Sequence, residues 1–165
     1  MASSVPPAPP APPVATRASW KTKPDPRVRA PLRYEYERRF SPAEYARIVV
    51  GLVPAQREDK WLIYFEDGWL RLHRSFTGAC IYGARVAAGE GEASAVAEAW
   101  VSRATEEYTR TDDAYDARLL AYLVDRLLLR MDVAFPVPDA IEGGDRASLY
   151  RHHVVGHARA GDEDA

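Results

Sequence analysis

The chain has 165 residues, 47% of them apolar or aromatic, which is enough for one domain with a buried core. Its net charge of −2 provides no global positive field, so the composition argues against binding to nucleic acid or to an anionic membrane surface. The single cysteine, Cys80, excludes an intramolecular disulfide and a multi-cysteine metal site, and its apolar neighbours predict a buried thiol.

The first 30 residues are rich in proline, which lacks the amide proton that helices and inner strands need. Residues 1–30 are therefore predicted to be a disordered Pro/Ala-rich tail. Its run PPAPPAPP is either a ligand for an aromatic groove in a partner or only a spacer. Prolines interrupt every apolar run of this segment, unlike a signal peptide, so a soluble cytoplasmic protein is expected.

The folded domain is predicted over residues 31–132, beginning with a strand and a helix. The run LRYEYERRF, residues 32–40, alternates apolar and charged side chains as a half-buried strand does. Ser41, Pro42 and Glu44 then combine an N-cap serine, a proline at the first helical position and a capping-box glutamate. The helix that follows is predicted to bury one face, formed by Tyr45, Ile48, Val49 and Leu52.

The run KWLIYFEDGWLRLHRS predicts a β-hairpin of residues 60–66 and 69–75. Two stretches rich in aromatic and branched residues flank Asp67-Gly68, the dipeptide that best accepts the positive φ angles of a type I′ turn. A third strand is predicted at residues 77–88. Residues 95–102 suit a fourth strand or a short helix because of their alanines, and a strand is preferred.

The run TDDAYDARLLAYLVDRLLLRM predicts a second helix, with acidic residues at its start and arginines near its end. Its wide leucine stripe must be buried against a large partner. The predicted fold class is therefore α+β: a mainly antiparallel meander sheet of four to five strands, packed against two helices on one face. Residues 133–165 are predicted to form an irregular C-terminal extension that includes one candidate short helix.

Residues 33 to about 130 contain the runs GLVPAQREDKWLIYFEDGWLRLHRSFTGACIYGARV and EAWVSRATEEYTRTDDAYDARLLAYLVDRLLL. This part of the chain resembles a family of small, mostly uncharacterised bacterial proteins with a W-x-x-[YF]-x-E-D-G-x-L-x-x-H-R-S-[WF]-T-G-x-x-[IV]-Y core. Phe76 stands where many members have tryptophan, which keeps an aromatic ring but loses the indole donor. The resemblance supports the meander, and it associates the chain loosely with ADP-ribose and macro-domain contexts.

The second strand of the predicted hairpin separates two sets of side chains. The pleat places Trp69, Arg71 and His73 on one face and Leu70 and Leu72 on the other. If the helices cover the leucines, the opposite face can stack a base on a ring and hold a phosphate with a guanidinium group. The alternative is a solvated face on which Trp and Arg cover one another by ordinary cation–π packing.

The turn after this strand is a candidate anion site. Arg74, Ser75, Thr77 and Gly78 supply a guanidinium fork, two hydroxyls and a glycine that lets backbone amides approach a phosphate or carboxylate. The alternative is that Arg74 pairs with a nearby carboxylate and that the hydroxyls only close the turn.

Histidines provide the remaining candidates for chemistry. His73 has a suitable pKa for a general acid or base, yet no nucleophile motif, phosphate loop or pair of catalytic carboxylates accompanies it. His153 and His157 are four residues apart and would share a helix face, the spacing of two metal ligands, although a solvent-exposed helix end is the favoured explanation. No cofactor is predicted.

These observations favour a binding module for a phosphate-bearing small molecule, such as a nucleotide or an ADP-ribose-like ligand. The alternatives are a protein-interaction or regulatory module that uses the aromatic face, and a hydrolase or transferase acting on nucleotide-like substrates through His73 and Arg74. A concave pocket lined by Arg71, or by Arg74 and His73, would favour a ligand or a substrate. A flat apolar patch of several hundred Å² would favour a protein partner.

Overall fold

The computed structural model describes residues 13–32, 39–56, 58–88, 93–104 and 113–136. Its strands are β1 (Arg29–Leu32), β2 (Arg39–Phe40), β3 (Trp61–Glu66), β4 (Trp69–Arg74), β5 (Cys80–Ala88) and β6 (Ser94–Ser102). Its helices are α1 (Pro42–Val50) and α2 (Asp113–Leu123), with a 3-10 turn at Arg17–Ser19 and a π-helical turn at Val124–Leu128 that continues α2. The predicted α+β class is confirmed.

The described strands form one antiparallel sheet in the order β1-β6-β5-β4-β3, and β2 also pairs with β6. Strands β3 to β6 are a meander, as predicted, and residues 94–102 are a strand rather than a helix. The sheet has six strands instead of four or five because two short strands, β1 and β2, both pair with β6. The first predicted strand, residues 32–40, contains β2 but only the last residue of β1. Residues 33–38 of that prediction lie outside the described residues.

The β3–β4 hairpin has the turn that its sequence predicts. Asp67 and Gly68 have φ angles of 54° and 84°, the positive values that a type I′ turn requires. With Glu66 opposite Trp69, every second side chain of β4 faces the helices. Leu70 and Leu72 are accordingly buried in the main apolar cluster, as the predicted pleat requires.

Both helices pack on the leucine side of the sheet. The Ser41 hydroxyl accepts a hydrogen bond from the Glu44 amide, and the Glu44 carboxylate accepts one from the Ser41 amide, so the predicted capping box is present. Ile48 of α1 is fully buried there. The leucine stripe of α2 joins the same cluster through Leu119, Leu120, Leu123, Val124 and Leu128. Among the described residues, neither helix is long and apolar enough to cross a membrane.

The opposite face of the sheet is covered by residues 13–28, which we call the N-terminal strap. The Ala15 amide donates to the Val50 carbonyl over 2.8 Å, and the Trp20 indole donates to the Ser75 carbonyl over 2.8 Å. Ala15 also packs in a second apolar cluster with Leu62 and Tyr64.

Residues 13–30, which belong to the predicted Pro/Ala-rich tail, thus pack on the sheet or pair with it, whereas residues 1–12 lie outside the described residues. Proline prevents helix formation but does not prevent an extended segment from packing on a sheet face. At the other end of the domain, Phe135 packs its ring edge against Tyr122, so the start of the predicted C-terminal extension also contacts the core.

A buried polar network joins α2 to the sheet. Asp116 is completely buried, and its carboxylate accepts hydrogen bonds from the Tyr82 hydroxyl over 2.9 Å and from the Arg103 guanidinium over 2.8 Å. The same guanidinium also pairs with Asp113 at the exposed start of α2. These contacts fix the position of α2 over β5 and β6 because a buried carboxylate is stable only with its donors in place.

We expect Asp116→Ala to lower the free energy of unfolding by about 3 kcal/mol, because it removes the acceptor of a buried hydroxyl and a mostly buried guanidinium. Asp113→Ala, which alters the exposed half of the same network, should cost at most about 1 kcal/mol. Urea unfolding of the two variants measures both values, and equal losses would contradict the central role of Asp116.

Candidate ligand-binding groove

Two rows of side chains cross the face of the sheet opposite the helices. The strand pairings place Arg71 opposite Gly83, and Gly83 opposite Trp100. The neighbouring row contains Glu66, Trp69, Arg85 and Glu98, paired in that order. Aromatic and charged groups from β4, β5 and β6 therefore meet on one surface. This surface is the face of the sheet on which the sequence places Trp69 and Arg71.

An open groove of about 700 Å³ lies on this surface between the N-terminal strap and the strands. We call it the Trp/Arg groove. The lining side chains that can recognise a ligand are Asp25, Arg29, Trp69, Arg71, Glu98 and Trp100. Two of them, Trp69 and Arg71, were predicted from the sequence as ligand-binding residues. The other four were not.

Trp100 lies flat across β5 because Gly83 has no side chain. A Cβ atom built at Gly83 would collide with the indole ring. The Arg29 guanidinium covers this ring at 5.1 Å from its centroid, a cation–π contact. The Trp100 ring thus lies between the Gly83 backbone and the Arg29 guanidinium group.

A β-bulge marks the rim of the groove. The register between β5 and β6 shifts after Arg85, so that Ala97 has no partner opposite it. Bulges of this kind redirect side chains and are common beside binding sites. Here the bulge lies next to Glu98, whose carboxylate accepts a hydrogen bond from Arg85 over 2.9 Å.

Arg71 is held by a carboxylate of the N-terminal strap. Its Nε donates to one oxygen of Asp25 over 3.0 Å and its terminal nitrogen donates to the other over 3.3 Å. Burial opposes the charge of the guanidinium, but the hydrogen bond and the attraction of Asp25 outweigh it and raise the pKa of Arg71. Arg71 is therefore a permanent cation at the edge of the groove.

The turn that follows β4 is closed by contacts within the protein. The Ser75 hydroxyl donates to the Asp59 carbonyl over 2.6 Å, and the Thr77 hydroxyl accepts from the Ala79 amide over 3.1 Å. Both hydroxyls of the candidate anion site are thus engaged. The contacts favour the alternative prediction, in which these side chains close the turn.

Arg74 and Gly78 are also used structurally. The Arg74 guanidinium lies 5.1 Å from the centroid of the Trp61 ring, on the helix side of the sheet, so it does not face the groove that contains Arg71. Gly78 has a φ angle of 80°, and its carbonyl accepts a hydrogen bond from the Lys23 amide of the strap over 2.9 Å. The predicted site residues therefore separate into the groove and the turn.

His73 shares the face of Trp69 and Arg71, as predicted, but it is only 1% exposed. Its Nδ1 donates to the Gly78 carbonyl over 2.8 Å, so its Nε2 is the acceptor of the Tyr64 hydroxyl at 3.3 Å. The two rings also stack, with centroids 5.3 Å apart. Burial lowers the pKa of His73, although the hydrogen bond to Gly78 opposes this effect. His73 is thus buried with both ring nitrogens engaged, and it is not among the residues that line the groove.

Cys80, His153 and His157 are the remaining candidates for chemistry. Cys80 is buried, as predicted, and burial raises the pKa of its thiol, so the thiolate form that nucleophilic chemistry needs is disfavoured. His153 and His157 lie outside the described residues. Within the described ranges, no group of three or more His, Cys, Asp or Glu side chains is arranged to hold a metal ion.

No protein-family model, curated protein or solved structure matches the chain. The family resemblance noted above therefore stays a prediction, and the chemistry of the groove rests on its own residues.

We expect the stability of the protein to depend on the protonation of His73. Because folding lowers its pKa below 6.5, the neutral ring contributes stability that is fully present above pH 6.5. That contribution is lost as the pH falls through 6.5 towards the folded-state pKa, since the unfolded chain binds the proton more readily. Urea unfolding of wild type and His73→Gln between about pH 8 and about pH 5 measures it. The difference in unfolding free energy should shrink on acidification, and a constant difference would contradict the assignment.

Gly83→Ala should lower the free energy of unfolding by about 1 to 3 kcal/mol, because the new methyl group displaces the Trp100 indole. In a Trp100→Ala background the same change should cost little, since the obstacle is gone. A double-mutant cycle by chemical denaturation provides the measurement. Equal costs in the two backgrounds would show that Trp100 does not depend on Gly83.

Proposed function

We propose that this protein is a binding module for a small molecule that carries both a flat aromatic group and a phosphate, such as a nucleotide or an ADP-ribose-like ligand. The observation that carries the proposal is the Trp/Arg groove, in which Trp69 and Trp100 lie beside Arg29 and Arg71. Its volume of about 700 Å³ falls within the range of small-molecule sites, roughly 300 to 1,000 Å³.

The groups that line the groove suit this ligand class. An indole ring can stack on a base or on another flat ring, whatever the identity of that ring. A guanidinium group binds phosphate oxygens through two parallel hydrogen bonds, and Arg29 and Arg71 provide two such groups within one cavity. The two carboxylates of the groove also pair with arginines, Asp25 with Arg71 and Glu98 with Arg85, so recognition would be local and would not depend on a global positive field.

The groove favours binding over catalysis. Its lining in the described part of the chain supplies rings, guanidinium groups and carboxylates, but no hydroxyl, thiol or imidazole. His73, the candidate general acid or base, is buried with both ring nitrogens engaged by Gly78 and Tyr64. The two carboxylates of the lining, which could serve a hydrolase or transferase as a base, are each paired with a guanidinium group, Asp25 with Arg71 and Glu98 with Arg85.

Recognition of a protein partner is the second candidate, and one observation favours it. Phe76 is 75% exposed at the tip of the turn after β4, and Trp20 of the strap is 39% exposed near the same turn. Exposed aromatic rings are enriched at protein interfaces. These rings lie away from the Trp/Arg groove, so the two candidate functions can be tested separately.

A thermal-shift screen with AMP, ADP and ADP-ribose tests the proposal. A ligand present at about 100 times its dissociation constant should stabilise the protein by about 2.7 kcal/mol. Trp69→Ala should weaken the binding roughly tenfold or more, because base–aromatic stacking contributes about 1 to 3 kcal/mol. Phe76→Ala, which removes an exposed ring outside the groove, is the matched control and should leave the affinity unchanged. Absence of any shift, or equal effects of the two variants, would argue against the groove as the site.

A further inference from the structure

Asp25 binds the Arg71 guanidinium group with the geometry that a ligand phosphate would use. Both carboxylate oxygens bond the guanidinium, one at 3.0 Å and one at 3.3 Å. This two-pronged geometry is the one with which arginine binds carboxylates and phosphates alike. The carboxylate comes from the N-terminal strap, 46 residues away along the chain, and its side chain is still 36% exposed.

We propose that Asp25 is an internal competitor for Arg71 and thereby determines which anions the groove accepts. The inference rests on the proposed function, because it concerns the same groove. A carboxylate of the same chain has an effective concentration in the millimolar range, so an external carboxylate with equal charge and geometry competes poorly. A phosphate group or a diphosphate carries more negative charge and more acceptor oxygens than Asp25, and it displaces the carboxylate. Because displacing Asp25 lowers the affinity of every external anion by the same factor, only anions that bind Arg71 strongly, such as phosphates, occupy the groove.

The attachment of the strap allows this displacement to stay local. Pro24 and Pro26 flank Asp25 and have no amide proton to donate to the sheet. The backbone on either side is anchored, since the Lys23 amide donates to Gly78 and the Val28 carbonyl accepts from Arg103. Movement of Asp25 thus requires a change over residues 24–27 only.

A second cavity provides space for the Asp25 side chain once it leaves Arg71. It has a volume of about 510 Å³ and is lined by Arg17, Lys23 and Tyr64 together with Asp25. Asp25 lines both this cavity and the Trp/Arg groove. Asp25 thus forms part of the wall between the groove and the second cavity. When Asp25 leaves Arg71, this wall changes beside two further cationic side chains, Arg17 and Lys23. A ligand with two linked phosphates suits this arrangement better than a ligand with one small anion.

Isothermal titration of inorganic pyrophosphate and of succinate into three proteins tests the inference: wild type, Asp25→Asn and Asp113→Asn. Asp25→Asn keeps the shape of the side chain and removes its charge. Asp113→Asn is the matched control, because Asp113 is an exposed carboxylate that also pairs with an arginine, Arg103, and lines neither cavity. It corrects for the general effect of removing one negative charge.

We expect Asp25→Asn to bind pyrophosphate about fivefold more tightly than wild type, the size of effect that one partly exposed ion pair produces. Succinate should bind both proteins more weakly than pyrophosphate does, and it should gain by a similar factor in Asp25→Asn. Asp113→Asn should match wild type for both anions. Asp25→Ala should behave as Asp25→Asn does, and thermal unfolding checks that each variant is folded.

An unchanged or weaker affinity of Asp25→Asn for pyrophosphate would overturn the inference, because Asp25 would then be neutral or part of the binding site. An equal gain in Asp113→Asn would overturn it as well, since the effect would be general electrostatics. Absence of pyrophosphate binding in all variants has the same consequence. Titration of adenosine, which has no phosphate, distinguishes these failures from a failure of the proposed function, because stacking on Trp69 does not require Arg71.

Discussion

The rest of the structure depends on the pleat register that the Asp67-Gly68 turn sets. Positive φ angles at both turn residues allow β3 and β4 to pair without an inserted residue, and the alternation then continues across β5 and β6. A shift by one residue would exchange the leucines of β4 with Trp69 and Arg71. The helices bury the leucines, so the hydrophobic core holds the register in place and the Trp/Arg groove forms on the other face.

Features with a local cause could be predicted from the sequence. The hairpin follows from a dipeptide with a known turn preference, and the start of α1 follows from Ser41, Pro42 and Glu44. Trp69 and Arg71 were placed on the correct face because strand periodicity is also local. Trp100 could have been added by the same reasoning, since a meander brings β6 beside β5 and a glycine opposite a tryptophan leaves room for its ring.

Features with a distant cause could not be predicted in this way. The proline content of residues 13–28 indicates the absence of regular structure but carries no information about the surface on which the strap packs. Asp25 and Arg71 are separated by 46 residues, and nothing in either neighbourhood points to the other. The burial of His73 has the same origin. The polar neighbours of His73 in the sequence suggested a binding turn. In the fold, His73 is buried against Tyr64, which belongs to a second, smaller apolar cluster together with Ala15 of the strap.

The long sequence separation of these contacts also orders the assembly of the domain. During synthesis the strap leaves the ribosome before its partners, because Ala15, Trp20 and Asp25 contact residues within 50–75. Docking of the strap must therefore wait until the hairpin has emerged and paired. In that interval its prolines disfavour premature helix formation, so a segment that is made before the hairpin docks after it.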